Sequence, residues 1–207
     1  MATITGLEIQ KKNKDRINLF IGGEFFCGMT LDDCVRYKLA VGQDMTEADL
    51  GNLRANSHET DLFNKALVYL LKSPKTQRQI RDYLLKKQAD GEEVVAVIGR
   101  LEKLGYINDG EYAARFVEAK SHKSGAKVIR QKLIQKGVAR EAVDEAVLEI
   151  GDQSELAIAL TEKYMRNKAW GQKEKAGLGR YLMSKGFDWD TISATINRWR
   201  AENAGRD

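Results

Sequence analysis

The residues best suited to engage a partner are basic, and they recur. Between Ala119 and Arg140 the chain places Lys120, Lys123, Lys127, Arg130, Lys132, Lys136 and Arg140 without a single Asp or Glu. An earlier cluster holds Lys72, Lys75, Arg78, Arg81, Lys86 and Lys87 against Asp82, and a later one holds Lys163, Arg166, Lys168, Lys173, Lys175, Arg180 and Lys185 against Glu174. Ammonium and guanidinium groups in such runs bind phosphates or carboxylates; they do not make or break bonds by themselves. The bland alternative is a solvated helix face balanced by acids elsewhere.

Residues with catalytic potential are sparse. The chain has no P-loop, no GxGxxG, no HExxH and no GxSxG. His58 and His122 sit among polar neighbours and read as surface histidines. The adjacent acids Asp32–Asp33 and Glu92–Glu93 diverge around a helix, and helix-dipole complementarity already accounts for them. A DNA-cutting enzyme would need clustered carboxylates for metal ions, and these spacings assemble none. No catalytic residue, metal ligand or cofactor is therefore expected. Cys27 and Cys34 lack CxxC or His/Cys spacing, so a structural disulfide or zinc site is not expected, and a reducing cytoplasm fits.

The elements that position the basic clusters follow from a repeat. At an offset of 49 residues, Ile80, Ile129 and Leu178 align, as do Leu84, Leu133 and Leu182. Val94, Val143 and Ile192 follow, then Ile98, Val147 and Ile196, and then Leu101, Ile150 and Trp199. Leu67, Phe116 and Met165 are placed in the same series. Spacings of three and four within each copy put these residues on one helix face. Each copy reads as three helices, with the basic cluster around the second and acids at the start of the third. The copies span 62–106, 107–151 and 152–201. Gly137 and Gly186 stop the second helix of the later copies; Gln88 stands there in the first, so its turn is expected to differ. Thr76 with Gln79 forms a capping box, Gly105 closes the first copy, and Asn108 or Asp109 caps the helix that opens the second.

Residues 1–61 differ in character. They carry 7 Lys/Arg against 10 Asp/Glu, whereas the rest of the chain carries 27 against 20. The runs "TITGLEIQKK", "RINLFI" and "EFFCGM" predict two or three antiparallel strands. Thr30 then caps a short helix, and Thr46 with Asp49 opens a long one toward Lys72. The fold expected is mainly α: tandem three-helix repeats in an elongated, curved array with a small β-rich N-terminal extension. A single proline among 207 residues agrees with long helices. No stretch nears the roughly 20 apolar residues of a membrane span, and the N-terminus lacks a secretory h-region. Phe116 and Trp199 read as packing residues, while Trp170 and Trp189, near helix boundaries, are better placed for a contact surface.

The segments "RQIRDYLLKK", "RLEKLGYINDGEYAARFV", "GAKVIRQKLIQKGV" and "YLMSKGFDWDTI" resemble the RecX family, bacterial regulators of the RecA recombinase. The likeness covers about residues 62–200, with "LGYINDGEYAARF" its most specific part. The resemblance implies a non-enzymatic modulator that binds the RecA–DNA filament and inhibits its ATPase and strand exchange in DNA repair. It transfers no catalytic residues. The implied partners are the RecA filament and single- or double-stranded DNA, with no membrane, and a monomer is expected. The charge pattern nominates Arg78, Arg81, Lys123, Lys127, Arg130, Lys132 and Arg180 as filament- or DNA-facing residues. The rival reading is a helix-turn-helix regulator that binds duplex DNA directly, since its domains are also small trihelical units.

Overall fold

The N-terminal strands form because β-branched and aromatic residues alternate with polar ones around tight turns. In the computed structural model, which describes residues 1–203, β1 (Ala2–Ile9), β2 (Arg16–Ile21) and β3 (Glu24–Thr30) form an antiparallel meander. Gly22 and Gly23 both have positive φ, 59° and 84°, as a two-residue hairpin turn requires. The sheet has a fourth strand that the sequence reading missed: β4, only Asp44–Met45, pairs with the start of β1. Ile4, Ile17, Leu19 and Met29 are buried on the inner face.

Thr30 caps α1 (Leu31–Arg36), accepting from the Asp33 amide. The helix is shorter than "LDDCVRYKL" suggested, and Lys38 already has φ of 50°. Thr46 and Asp49 close a reciprocal capping box at the start of α2 (Glu47–Leu70). This single helix runs unbroken past residues 61–62. Its side chains also occupy the outer edge of the sheet: Ser57 Oγ donates to the Gly28 carbonyl at 2.7 Å, and Arg54 reaches the Phe26 carbonyl at 3.4 Å. Those carbonyls are thereby denied to any added strand.

Eight further helices follow among the described residues. The first repeat is completed by α3 (Gln77–Leu85) and α4 (Gly91–Lys103). The second comprises α5 (Asp109–Lys120), α6 (Ala126–Gln135) and α7 (Arg140–Leu148). The third comprises α8 (Ser154–Met165), α9 (Gln172–Lys185) and α10 (Trp189–Asn203). The chain divides into two compact units. One holds residues 1–74 and 80–106; the other holds 75–79 and the chain from Ile107 onward. No described helix is long and apolar enough to cross a membrane.

Helices two and three obey the 49-residue offset in burial except at its last position, where Leu101 is buried but Ile150, beyond the end of α7, and Trp199 are only half-buried. Ile80, Ile129 and Leu178 are fully buried, as are Leu84, Leu133 and Leu182, while Val94, Val143 and Ile192 are at most 1% exposed. Helix one does not obey it. Leu67 and Phe116 are only half-buried, whereas the buried residues one turn apart are Leu62 and Ala66, Ala113 and Val117, and Ala157 and Thr161. Those pairs are not 49 residues apart, because the connection to helix two is shorter in the second copy and α9 starts earlier, at Gln172, than the offset from Gln77 and Ala126 would place it. The alignment of Leu67, Phe116 and Met165 is corrected accordingly.

Gln88 does not change the turn that ends helix two. It takes the same left-handed turn, φ 66°, that Gly137 and Gly186 take at 88° and 94°. The turn does not differ; only the residue type does.

Candidate partner-binding surface

A helix leaves its first amides and last carbonyls without intrahelical partners, so something else must meet them. Gly125, at the start of α6, has no side chain with which to cap the helix. The third repeat serves instead. The Gly125 amide donates to the Lys185 carbonyl at 2.7 Å, and the Lys127 amide donates to the Gly186 carbonyl at 3.1 Å. The Ala126 amide finds Gln153 Oε1 at 3.0 Å, and the same Gln153 donates through Nε2 to the carbonyls of Ser121 and Ser124. The C-terminal carbonyls of α9 thus meet the N-terminal amides of α6, which aligns the two helix dipoles favourably. A Cβ on Gly125 would lie 2.4 Å from the Gly186 carbonyl carbon, so the approach leaves no space for a side chain.

The equivalent position one repeat earlier is Thr76, fully buried, with Lys136 and Gly137 opposite. There the Thr76 hydroxyl donates to the Lys136 carbonyl at 2.6 Å while accepting from the Gln79 amide. The Gln77 amide donates to Asp109 Oδ1 at 2.9 Å. Burial raises the Asp109 carboxyl above its ordinary pKa, and the Gln77 amide partly offsets this.

These contacts place the basic residues on helix two. Arg78 and Lys127 occupy equivalent positions at the helix start, both exposed, each beside the glycine turn of the following repeat. The aliphatic stem of Arg78 lies over Gly137. Lys127 lies near Asp188, whose carboxyl is held below its usual pKa mainly by the Thr191 amide and, to a lesser degree, by the Lys127 charge. Arg81, Lys132 and Arg180 are exposed on α3, α6 and α9, and Lys123 is exposed in the turn before α6. Arg130 is different. It is half-buried and ion-paired with Asp144 on α7, so part of its charge is satisfied within the protein.

Sequence reasoning passed over one recurring geometry, although its signal was the same offset of 49. Lys87, Lys136 and Lys185 end helix two in the three copies. Each ammonium lies over an aromatic ring. Lys87 is 5.6 Å from the Tyr83 centroid, Lys136 is 5.9 Å from that of Phe116, and Lys185 is 5.3 Å from that of Tyr181. The rings are paired in turn: Tyr69 stacks on Tyr83, Tyr112 on Phe116, and Tyr164 on Tyr181. A cation held within about 6 Å of a ring face loses freedom before any partner arrives. Of the two tryptophans set apart as contact candidates, Trp189 is 65% exposed, while Trp170 packs against the core of the third repeat.

Elsewhere the polar groups are matched to one another. A cavity of about 520 Å3 between β3 and α2 is lined by Cys27, Arg54, Ser57, His58, Asp61 and Glu93. Asp61 pairs with Arg16, and His58 Nδ1 contacts Glu93 Oε1 at 2.5 Å. Burial pushes the Cys27 thiol up, which disfavours the nucleophilic thiolate. No group of three or more His, Cys, Asp or Glu among the described residues is placed to hold a metal ion. The arrangement suits binding of acidic or phosphorylated surfaces.

Comparison with known proteins follows the same division. Residues 2–46 match the regulatory protein RecX N-terminal domain, and residues 63–101, 108–147 and 152–196 match the first, second and third RecX three-helix domains. The regulatory protein RecX of Clostridium beijerinckii is 31% identical over 204 residues, covering 96% of each chain. That of Staphylococcus epidermidis is also 31% identical, over 95% of this chain and 76% of its own. A crystal structure of RecX from Lactobacillus salivarius superposes with a TM-score of 0.64 at 26% identity, over 68% of this chain and 95% of that one. A second crystal structure of a regulatory protein RecX shares the fold over 95% of this chain and all of its own, with a TM-score of 0.78 at 24% identity.

Proposed function

The chain belongs to the RecX family of non-enzymatic regulatory proteins, and from that premise we propose that it binds the RecA–DNA filament and restrains it, lowering ATP turnover and strand exchange. The observation that carries this reading is the basic second helix, present in each of three repeats. A filament offers the same surface again and again, so modest contacts in several repeats add to a strong one. Opposed charge speeds the encounter and makes it sensitive to salt. Lysines restrained over aromatic rings lower the entropy lost on docking.

The test is ATP turnover by RecA on single-stranded DNA while purified protein is added. Turnover is expected to fall with increasing protein; unchanged turnover at saturating protein would sink the reading. The surface charge is tested by reversing Lys127→Glu and Lys132→Glu together, which leaves the Arg130–Asp144 pair intact. Filament affinity should drop about tenfold at low salt, with the gap narrowing as salt is raised. A sequence-specific footprint on bare duplex DNA, with RecA turnover untouched, would favour a direct DNA-binding regulator instead.

A further inference from the structure

One exposed position on helix two is apolar in all three repeats: Leu85, Ile134 and Met183, 49%, 38% and 56% exposed. Each directly follows a fully buried leucine (Leu84, Leu133 and Leu182) but points away from it around the helix. Surface neighbours have diverged between the copies: Asp82, Gln131 and Arg180 at one position, Lys86, Gln135 and Ser184 at another. A single exposed aliphatic residue needs no explanation. The same one in three copies, where several neighbouring surface positions vary, points to a shared use, as the recurring Lys87, Lys136 and Lys185 do.

The companions of these residues define that use. Arg81 precedes Leu85 by four residues, Arg130 precedes Ile134 by four, and Arg180 precedes Met183 by three. Those spacings put each arginine on the same helix face, one turn away, although Arg130 is also ion-paired with Asp144. An aliphatic group offers nothing to a phosphate, and bases stack on aromatic planes rather than on branched aliphatics. Apolar groups flanked by arginine are instead characteristic of the cores of protein interfaces, where arginine and methionine are enriched.

We infer that this arginine–aliphatic pair is where each repeat grips protein: the aliphatic side chain enters an apolar depression edged by carboxylates on a subunit of the filament. The inference rests on the filament-binding reading above and specifies which part of the filament is held. The lysines of helix two carry the long-range attraction, and the aliphatic residue supplies the short-range anchor. Because the pair occurs once per repeat, the partner is a protein surface that itself repeats.

The test uses the full chain with Leu85→Gln, Ile134→Gln and Met183→Gln, singly and together. Two quantities are measured: the concentration that halves ATP turnover by RecA on single-stranded DNA, and affinity for the same DNA without RecA. Each single variant should raise the half-inhibitory concentration about threefold and the triple variant about tenfold or more, with bare-DNA affinity unchanged. Leu85→Met and Ile134→Leu should inhibit like the parent. A triple variant that inhibits like the parent, or that loses bare-DNA affinity in the same proportion, overturns the inference. Should the triple variant melt early, the three singles decide by the same criteria. A parent protein without effect on turnover removes the filament reading and this inference together; an active parent with an equally active triple variant removes this inference alone.

Discussion

The first and later repeats close helix two with the same left-handed turn, yet Gln88 makes it in the first and glycine makes it at Gly137 and Gly186. The difference lies in what stands against the turn. At Gly186 a Cβ would lie 2.5 Å from the Val128 amide nitrogen and 2.9 Å from the Gly125 carbonyl oxygen, and at Gly137 it would lie 2.2 Å from Arg78 Cδ. In both cases the start of the preceding helix two occupies the space. No repeat precedes the first, and Gln88 is exposed. A left-handed φ permits a side chain at some cost; at Gly186 the neighbour is rigid backbone, which permits none, and at Gly137 it is the stem of Arg78, which would have to move. Glycine in this protein therefore marks a joint rather than merely a turn.

Breaking the joint should have the largest effect on stability. Gly186→Ala combines left-handed strain with a clash against rigid backbone and should cost about 3 kcal/mol, read as a lower midpoint in urea unfolding. Gly125→Ala has the clash without the strain, since its φ is −71°, and should cost about 2 kcal/mol. Equal costs would mean that contact, not φ, sets the requirement at 186.

Thr76 sharpens the comparison between the two kinds of joint. Removing its hydroxyl with Thr76→Ala leaves the Lys136 carbonyl and the Gln79 amide without this partner, at about 1.5 kcal/mol. Thr76→Ser should keep most of that stability. The smallest effect, and the one of opposite sign, is expected at the free turn. Gln88→Gly should stabilise by about 0.5 kcal/mol, the relief of left-handed strain outweighing the greater freedom of glycine in the unfolded chain. A loss of stability there would show that the Gln88 side chain holds something in place.

The sequence was most legible where the interaction is local. The capping residues Thr30, Thr46, Thr76 and Asn108 all accept from an amide within three residues. The cores of helices two and three follow from apolar spacing along one helix face. What escaped depended on contacts between distant residues. The strand Asp44–Met45 is too short for a pattern and exists because it meets Ala2 and Thr3. Helix one slipped out of the offset because length changed at the junction, in the loop of the second copy and in the early start of α9 in the third, without altering the pattern further along helix two. The engagement of Arg130 by Asp144 across two helices was invisible in a tally of charges.

By itself the sequence determined three copies of one trihelical phrase, their caps, their buried stripes and the basic bias of each second helix, because each of these is written within a few turns of chain. Only the tertiary structure decided why Gly125, Gly137 and Gly186 must lack side chains, which cations lie over rings, and which aliphatic residues stay outside the core. The physical reason is range: hydrogen bonds in a cap act between near neighbours, whereas the backbone contact of residue 125 with residue 186 exists only once two repeats have packed together.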